Sequence, residues 1–200
     1  MTKKNITNCY DEFEDNHDYS KNISIKNKEI ETPKIYTIRF FHNFDFDASK
    51  YQPYFDIFEK AKENDEIIIY LNSGGGSTLT LNMFLNAMRM SRCKNITARV
   101  NYVASAAAIF ALACNNIFFN ENSTLMLHTF STCVLGKSQE VESDFKHSEL
   151  IIKRMNEEYL KRILSPEEIK ELYNGKDFYF DENEALRRLK KYASKRNKKK

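Results

Sequence analysis

Residues Glu66–Ser77, EIIIYLNSGGGS, hold the signal that decides the fold. A short apolar run rich in β-branched residues, EIIIYL, reads as a strand of the kind buried on both faces of a parallel sheet. It stops abruptly at Asn72-Ser73-Gly74-Gly75-Gly76-Ser77, and the next segment places Leu79, Met83, Phe84, Ala87 and Met88 at helical spacing. The unit is therefore strand, glycine loop, helix. Three of the five glycines in the chain are consecutive in that loop, which suits a backbone that must take conformations closed to other residues or let a ligand approach the main chain. Phosphate binding is excluded on pattern, because no Gly-Lys-Ser/Thr follows and no G-x-G-x-x-G spacing is in register with an acidic residue.

Outward from the loop, the same alternation continues. Upstream, IYTIRFF from Ile35 is a β-type run, and Tyr51–Lys62 carries Tyr54, Phe55, Ile57 and Phe58 on a helical stripe. Downstream, Ile96–Val103 predicts a strand, alanine-rich Ser105–Cys114 a buried helix, and Leu125–His128 a strand closing on a histidine. Gln139–Ile163 reads as a long amphipathic helix with Val141, Phe145, Ile152, Met155 and Tyr159 drifting around one face. Ser165-Pro166-Glu167-Glu168 starts a further helix: a serine cap, proline at the first helical position and acids in the first turn. Alternating strands and helices imply a mixed α/β core in one domain.

Composition narrows the function classes. With 30% charged and 42% hydrophobic residues the chain is too apolar for a disordered protein. The net charge of +3 conceals a basic tail, since Arg187, Arg188, Lys190, Lys191, Lys195, Arg196 and Lys198–Lys200 lie in the last fourteen residues. No nucleic-acid motif accompanies it, and it reads as a solvated end. Cys9, Cys93, Cys114 and Cys133 show no C-x-x-C pairing and read as free thiols, and the histidines fall at no zinc-ligand spacing, so no metal is expected. The start, MTKKNITNCYDEFEDNHD, lacks the apolar stretch of a secretory signal, and Val103–Cys114 is too short to span a bilayer. The expectation is a cytoplasmic protein, or one of an organelle stroma, with neither nucleic acid nor membrane as partner.

A serine inside Val103-Ala104-Ser105-Ala106-Ala107 needs a reason, because a hydroxyl buried in so apolar a stretch requires a partner. Placed where a strand gives way to a helix, it is instead presented as a nucleophile. The Ala106 N–H would then point out of the first helical turn, and with the Gly76 N–H would form an oxyanion hole.

Asn72-Ser73-Gly74-Gly75-Gly76, Ala104-Ser105, Asn122-Ser123 through Met126-Leu127-His128, Arg154-Met155-Asn156-Glu157, and Lys176-Asp177 with Glu184-Ala185 resemble, in order, the motifs of the Clp protease proteolytic subunit. The resemblance runs from about residue 36 to 186, with the Ser105–His128 interval slightly short. It implies a crotonase-like spiral of β-β-α units with a protruding handle helix and a peptidase domain over residues 33–190, flanked by a flexible arm over 1–32 and the basic tail over 191–200. It further implies a serine endopeptidase with Ser105 as nucleophile, His128 as base and Asp177 orienting the base, without cofactor. Gly76 and Ala106 become the oxyanion donors, and Gly75, Thr129 and Phe130 contact substrate polypeptide. His17, His42 and His147 are left as surface residues. The assembly implied is a homo-oligomeric or mixed ring, heptameric and stacked as a tetradecamer. Its handle, at about 139–163, would turn its apolar face to a neighbouring subunit.

An ATP-driven unfoldase is the further partner such a ring would take, although residues 1–32 do not match the family's axial loops. Four departures stand out: Gly74 for the family's proline, Ala107 for a glycine, Lys176 for an arginine, and Thr129–Leu135 for a glycine-rich strand. Bulkier side chains there narrow the peptide groove or change its register. The alternatives are a catalytically silent subunit of a mixed ring, a related signal-peptide-peptidase or phage head-maturation protease using a serine-lysine dyad, and a coenzyme A hydratase or isomerase of crotonase type.

Overall fold

A computed structural model describes residues 32–129 and 136–197. The expectations placed on residues 1–31, on Phe130 and 131–135, and on 198–200 lie outside the described residues, as do Cys9, Cys133 and His17. The elements run β1 (Ile35–Phe40), a 3-10 turn (Ala48–Tyr51), α1 (Gln52–Lys60), β2 (Glu66–Ser73), α2 (Thr78–Met90) and β3 (Asn95–Ala104). There follow α3 (Ala106–Ala113), β4 (Asn116–Leu127), α4 (Ser138–Leu160), α5 (Pro166–Tyr173), β5 (Phe178–Asp181) and α6 (Glu182–Asn197). This is the mixed α/β fold expected, with a single sheet of order β1-β2-β3-β4-β5 among the described residues. Strands β1 to β4 are parallel and β5 runs antiparallel to β4.

The central strands are each in two segments. Register shifts fall between Leu71 and Asn72 of β2 and between Val100 and Tyr102 of β3, while Asn120–Ser123 of β4 lie between its two paired stretches. The breaks line up across the sheet, and bulges of this kind bend a strand and raise its twist. A strand, a bend, a second short strand and then a helix is the form the β-β-α unit takes here. Asn120 Nδ2 donates to Asn101 Oδ1 and so ties the break together.

β2 departs from the expectation of burial on both faces. Ile67, Ile69 and Leu71 are fully buried, but Ile68 and Tyr70 are only half-buried. On the buried face, Ile38 and Phe40 of β1 meet Phe58 of α1, Phe84 of α2 and Phe110 of α3. Phe84 is the hub: its ring lies 5.2 Å from Phe110, 5.5 Å from Phe44 and 5.6 Å from Phe40, within the range of favourable aromatic pairs.

Helix α4 corrects a second expectation. Its C-terminal half docks on the subunit's own core through Ile152, Tyr159 and Leu160, with Met155 packed against it, so that stretch needs no partner subunit. Its first turns are exposed, as are Phe145, Leu150 and Ile151. Just past the helix, half-buried Arg162 caps the carbonyl end of α3 by donating to Leu112 O and Cys114 O. Burial pushes the Cys114 thiol up to about 12, so it is inert packing, and Cys93 is likewise a buried free thiol. Among the described residues no helix is long and apolar enough to cross a membrane.

Sequence patterning missed β5 and α6, and it began β4 nine residues late at Leu125 rather than Asn116. The basic tail starts inside α6, which continues to Asn197 because Glu182 and Glu184 in its first turn and Lys195 and Arg196 in its last complement the helix dipole. Arg188 anchors α6 by donating to both carboxylate oxygens of Glu168 on α5, at 2.7 and 2.9 Å, and to Glu184 at 2.6 Å. The Arg187 and Arg188 guanidiniums hold the Glu184 carboxyl down at about 2, and Arg188 also lowers Glu168. A carboxyl depressed in the folded state stabilises above its ordinary pKa and loses that contribution as pH falls through the folded one. Acid unfolding of Glu184→Gln, followed by circular dichroism, should therefore show a flatter loss of stability between pH 4.5 and about 2 than wild type. At neutral pH the substitution should cost at most about 1 kcal/mol, because the group is partly exposed and screened.

Candidate active site

The sheet register brings the chemistry-bearing residues to one end. β3 and β4 pair Ala104 with Met126, and the Ser105 N–H donates to Met126 O at 3.0 Å, which sets Ser105 beside the strand that ends in Leu127-His128. β4 and β5 pair Leu127 with Phe178 in antiparallel register, so His128, which follows Leu127, and Asp177, which precedes Phe178, lie at the same end of that ladder.

Ser105 is the N-cap of α3 and has φ 56 and ψ −125, a conformation that L-residues avoid. Such a backbone costs on the order of 1–3 kcal/mol and persists only where its surroundings over-determine it. Here the strand bond to Met126 fixes one side, and the Ala108 and Ile109 N–H groups, donating to Ser105 O at 3.1 and 3.2 Å, fix the other. The side chain is thereby held out of the first helical turn, as a nucleophile on a strand-to-helix turn must be.

The glycine loop closes over this turn. A Cβ on Gly75 would lie 2.7 Å from Ser105 Cβ and 3.0 Å from Ala106 N, so the loop passes within touching distance of the serine and of the first amide of α3. Gly76, at φ 123, is clamped by Phe44: Phe44 N–H donates to Gly75 O at 2.7 Å and Ser77 N–H to Phe44 O at 2.8 Å. Because Phe44 also belongs to the aromatic core, the position of the loop is set by core packing. Gly74 N–H donates to Asn43 Oδ1 and Gly75 N–H to Ser73 Oγ. Among the described residues, no hydrogen bond engages the Gly76 or Ala106 N–H.

Ser105, Ala106, His128 and Thr129 line one cavity with Thr78, Leu81, Ile109, Leu127, Ile152, Asn156, Leu160, Leu172 and Tyr173. Two helices, α2 from Thr78 and α3 from Ala106, direct their N-termini toward it, and that favours negative charge. Asp177 is exposed and is not part of the lining, and among the described residues no hydrogen bond joins Ser105 to His128 or His128 to Asp177. The fold thus gathers two of the three residues in one cavity and leaves the third outside its lining, at the end of the β4–β5 ladder. His42 and His147 are exposed, His42 in a stack with Tyr54. Lys176 is paired with Glu171 at 2.6 Å, with its ammonium 5.1 Å from the centre of the Phe178 ring. Sequence reading overlooked Tyr173, for which a lone tyrosine at a helix end offers no signal, and it quoted Asn156 within a motif without giving it a part. No group of three or more histidine, cysteine, aspartate or glutamate side chains among the described residues is placed to hold a metal ion.

The bent strands thus carry a serine on a strained turn beside a glycine loop, with a histidine lining the same cavity. A family-wide comparison matches residues 45–188 to Clp protease, and the chain belongs to that family, which is one of peptidases. A search among curated proteins finds no match.

Proposed function

We propose that this chain is a serine endopeptidase subunit of a self-compartmentalising ring, cleaving unfolded polypeptides or short peptides. The observation that carries the reading is the strained turn at Ser105 facing the same cavity as His128, and it is supported by Asp177 lying at the same end of the β4–β5 ladder as His128. Ser105 Oγ attacks the peptide carbonyl while His128 takes its proton. The Gly76 and Ala106 N–H groups receive the developing oxyanion, a contribution of about 10²–10³ in rate per donor. His128 then protonates the leaving amine as the C–N bond breaks, and a water deprotonated by His128 hydrolyses the acyl-serine. Asp177 holds the imidazole in the tautomer that leaves its other nitrogen free to accept. Gly75 and Thr129 flank the extended substrate.

Ring assembly belongs to this reading, and the exposed first turns of α4 are the stretch left for a neighbouring subunit. Packing against that neighbour would draw His128 between Ser105 and Asp177 and close the two hydrogen bonds the single chain leaves open. An unfoldase partner and a cytoplasmic or stromal setting belong to the same reading.

The test is to measure the mass of the purified chain in solution, its labelling by a fluorophosphonate, and its cleavage of fluorogenic peptides. Wild type should form a large oligomer, label at Ser105 and cleave. His128→Ala should lower kcat/KM by at least about 10³-fold and Asp177→Asn by a similar order. A monomer that neither labels nor cleaves would remove the enzymatic reading in favour of a silent ring member, and activity surviving His128→Ala would indicate a serine-lysine enzyme.

A further inference from the structure

The last turns of α6 carry positive charge that no acid in the fold answers. Elsewhere the helices set opposite charges four residues apart, as in Glu142–Lys146, Glu149–Lys153, Glu157–Lys161 and Glu184–Arg188. Lys191 and Lys195 instead form a like pair at that spacing, and they repel. Among the described residues no carboxylate pairs with either of them or with Arg196. Two adjoining clefts, of about 460 and 510 Å³, run beside this stretch and share Arg162 and Tyr192 in their walls. Arg196 and Asn115 line the first, Lys191 and Lys195 the second. Volumes of this order suit a small-molecule ligand.

Arg162 stands where the two clefts meet. It is half-buried, and its bonds to Leu112 O and Cys114 O use only Nη1 of a guanidinium with five N–H donors. No carboxylate among the described residues pairs with it, although a charge drawn out of water ordinarily has an opposite one beside it. Burial lowers its pKa, and nearby Arg196 pushes the same way. The acids in the walls do not neutralise this cluster: Glu168 is held by Arg188, and exposed Glu158 makes no ion pair with either Arg162 or Arg196.

We propose that this double cleft binds a short chain of phosphate groups, with Arg162 and Arg196 gripping one end and Lys191 and Lys195 the other. Guanidinium forks match phosphate oxygens in pairs, while the lysine ammonium groups act as point charges. A single phosphate brings at most about two negative charges, so a chain of them is needed to match four cations. The Tyr192 hydroxyl and the Asn115 amide, in the walls of the first cleft, can add neutral donors. The chain of phosphates comes either from an inorganic oligophosphate or from the tail of a nucleotide. Bound there, it ties α6 to the turn after α4 and relieves the repulsion along α6. The site shares no lining residue with the cavity of Ser105 and stands independently of the peptidase reading.

The experiment uses the full-length chain, with tripolyphosphate as the probe. At about 100 times its Kd, tripolyphosphate should raise Tm by roughly 5–10 °C, and sodium chloride of equal ionic strength should not. Calorimetry should show one site per chain, at least about 10-fold tighter for tripolyphosphate than for monophosphate. The double variant Lys191→Gln with Lys195→Gln should melt no lower than wild type without ligand, since a repelling pair is gone. It should nevertheless bind tripolyphosphate at least about 10-fold more weakly, as should Arg196→Gln. Arg162 is left intact because it also caps α3. Glutamine in place of Lys198, Lys199 and Lys200 should leave Kd unchanged. ATP bound no tighter than tripolyphosphate assigns the site to an inorganic chain, and ATP bound about 10-fold tighter assigns it to a nucleotide. Either result upholds the site. Monophosphate bound as tightly as tripolyphosphate, an affinity unmoved by the lysine and Arg196 variants, an affinity lost with the three terminal lysines, or no binding at about 1 mM would overturn it. A single-stranded oligonucleotide bound more than about 100-fold tighter than tripolyphosphate would overturn it in favour of a nucleic-acid surface.

Discussion

Ser105→Ala should lower peptide hydrolysis by about 10⁴-fold or more and abolish fluorophosphonate labelling while the chain still folds and assembles. The magnitude follows from the loss of the covalent route: with no hydroxyl, the residual rate is what main-chain donors and binding alone provide. The fold should survive because Ser105 is half-buried and the bonds that fix its turn are main-chain ones, to Met126 O and from Ala108 and Ile109 N–H. Alanine keeps the turn and its strain. Glycine relieves it, since φ 56 with ψ −125 is natural only without a Cβ. Ser105→Gly should therefore be as inactive as Ser105→Ala but about 1 kcal/mol more stable in urea denaturation. A Ser105→Ala protein that retains more than a few per cent of activity would refute the nucleophile. A Ser105→Gly protein less stable than Ser105→Ala would refute the claim that strain is stored at this position.

Gly76→Ala should destabilise the chain by about 4 kcal/mol, with loss of activity in whatever remains folded. Two effects add. At φ 123 a side chain is strained whatever space surrounds it, and the added Cβ would lie 2.3 Å from Phe44 O and 2.9 Å from Phe44 N. Both atoms are backbone, and Phe44 cannot yield because its ring is packed among Phe40, Phe84 and Phe110. Relief must come from moving the glycine loop itself, which carries the Gly76 N–H away from Ser105. Denaturant unfolding measures the first effect and peptide cleavage the second. A shift below about 1 kcal/mol would show that the loop is free to move.

Much of this was written plainly in the chain. The run from Ile67 to Leu71 followed by three glycines could be little else than a strand, a loop and a helix, and Ser165-Pro166 with Glu168 builds the capping box expected of it. The parts that stayed hidden have physical reasons. β4 begins in Asn116–Asn122, where asparagines and a positive φ at Asn122 interrupt the alternation by which strands are recognised. β5 has four residues, too few for a period, and it exists as a strand only because β4 is there to pair with it.

Local patterning was enough to settle the α/β alternation, the glycine loop and the candidate serine, because each depends on residues a few positions apart whose backbone preferences act independently of the rest. Only the tertiary structure decided that His128 and Asp177 lie at the same end of the β4–β5 ladder, that Gly76 is locked by Phe44, that α4 is half core and half exposed, and that Asn156 and Tyr173 line the cavity beside Ser105. Those are contacts between residues distant in the chain, and register and packing, which no local preference encodes, determine which of them form.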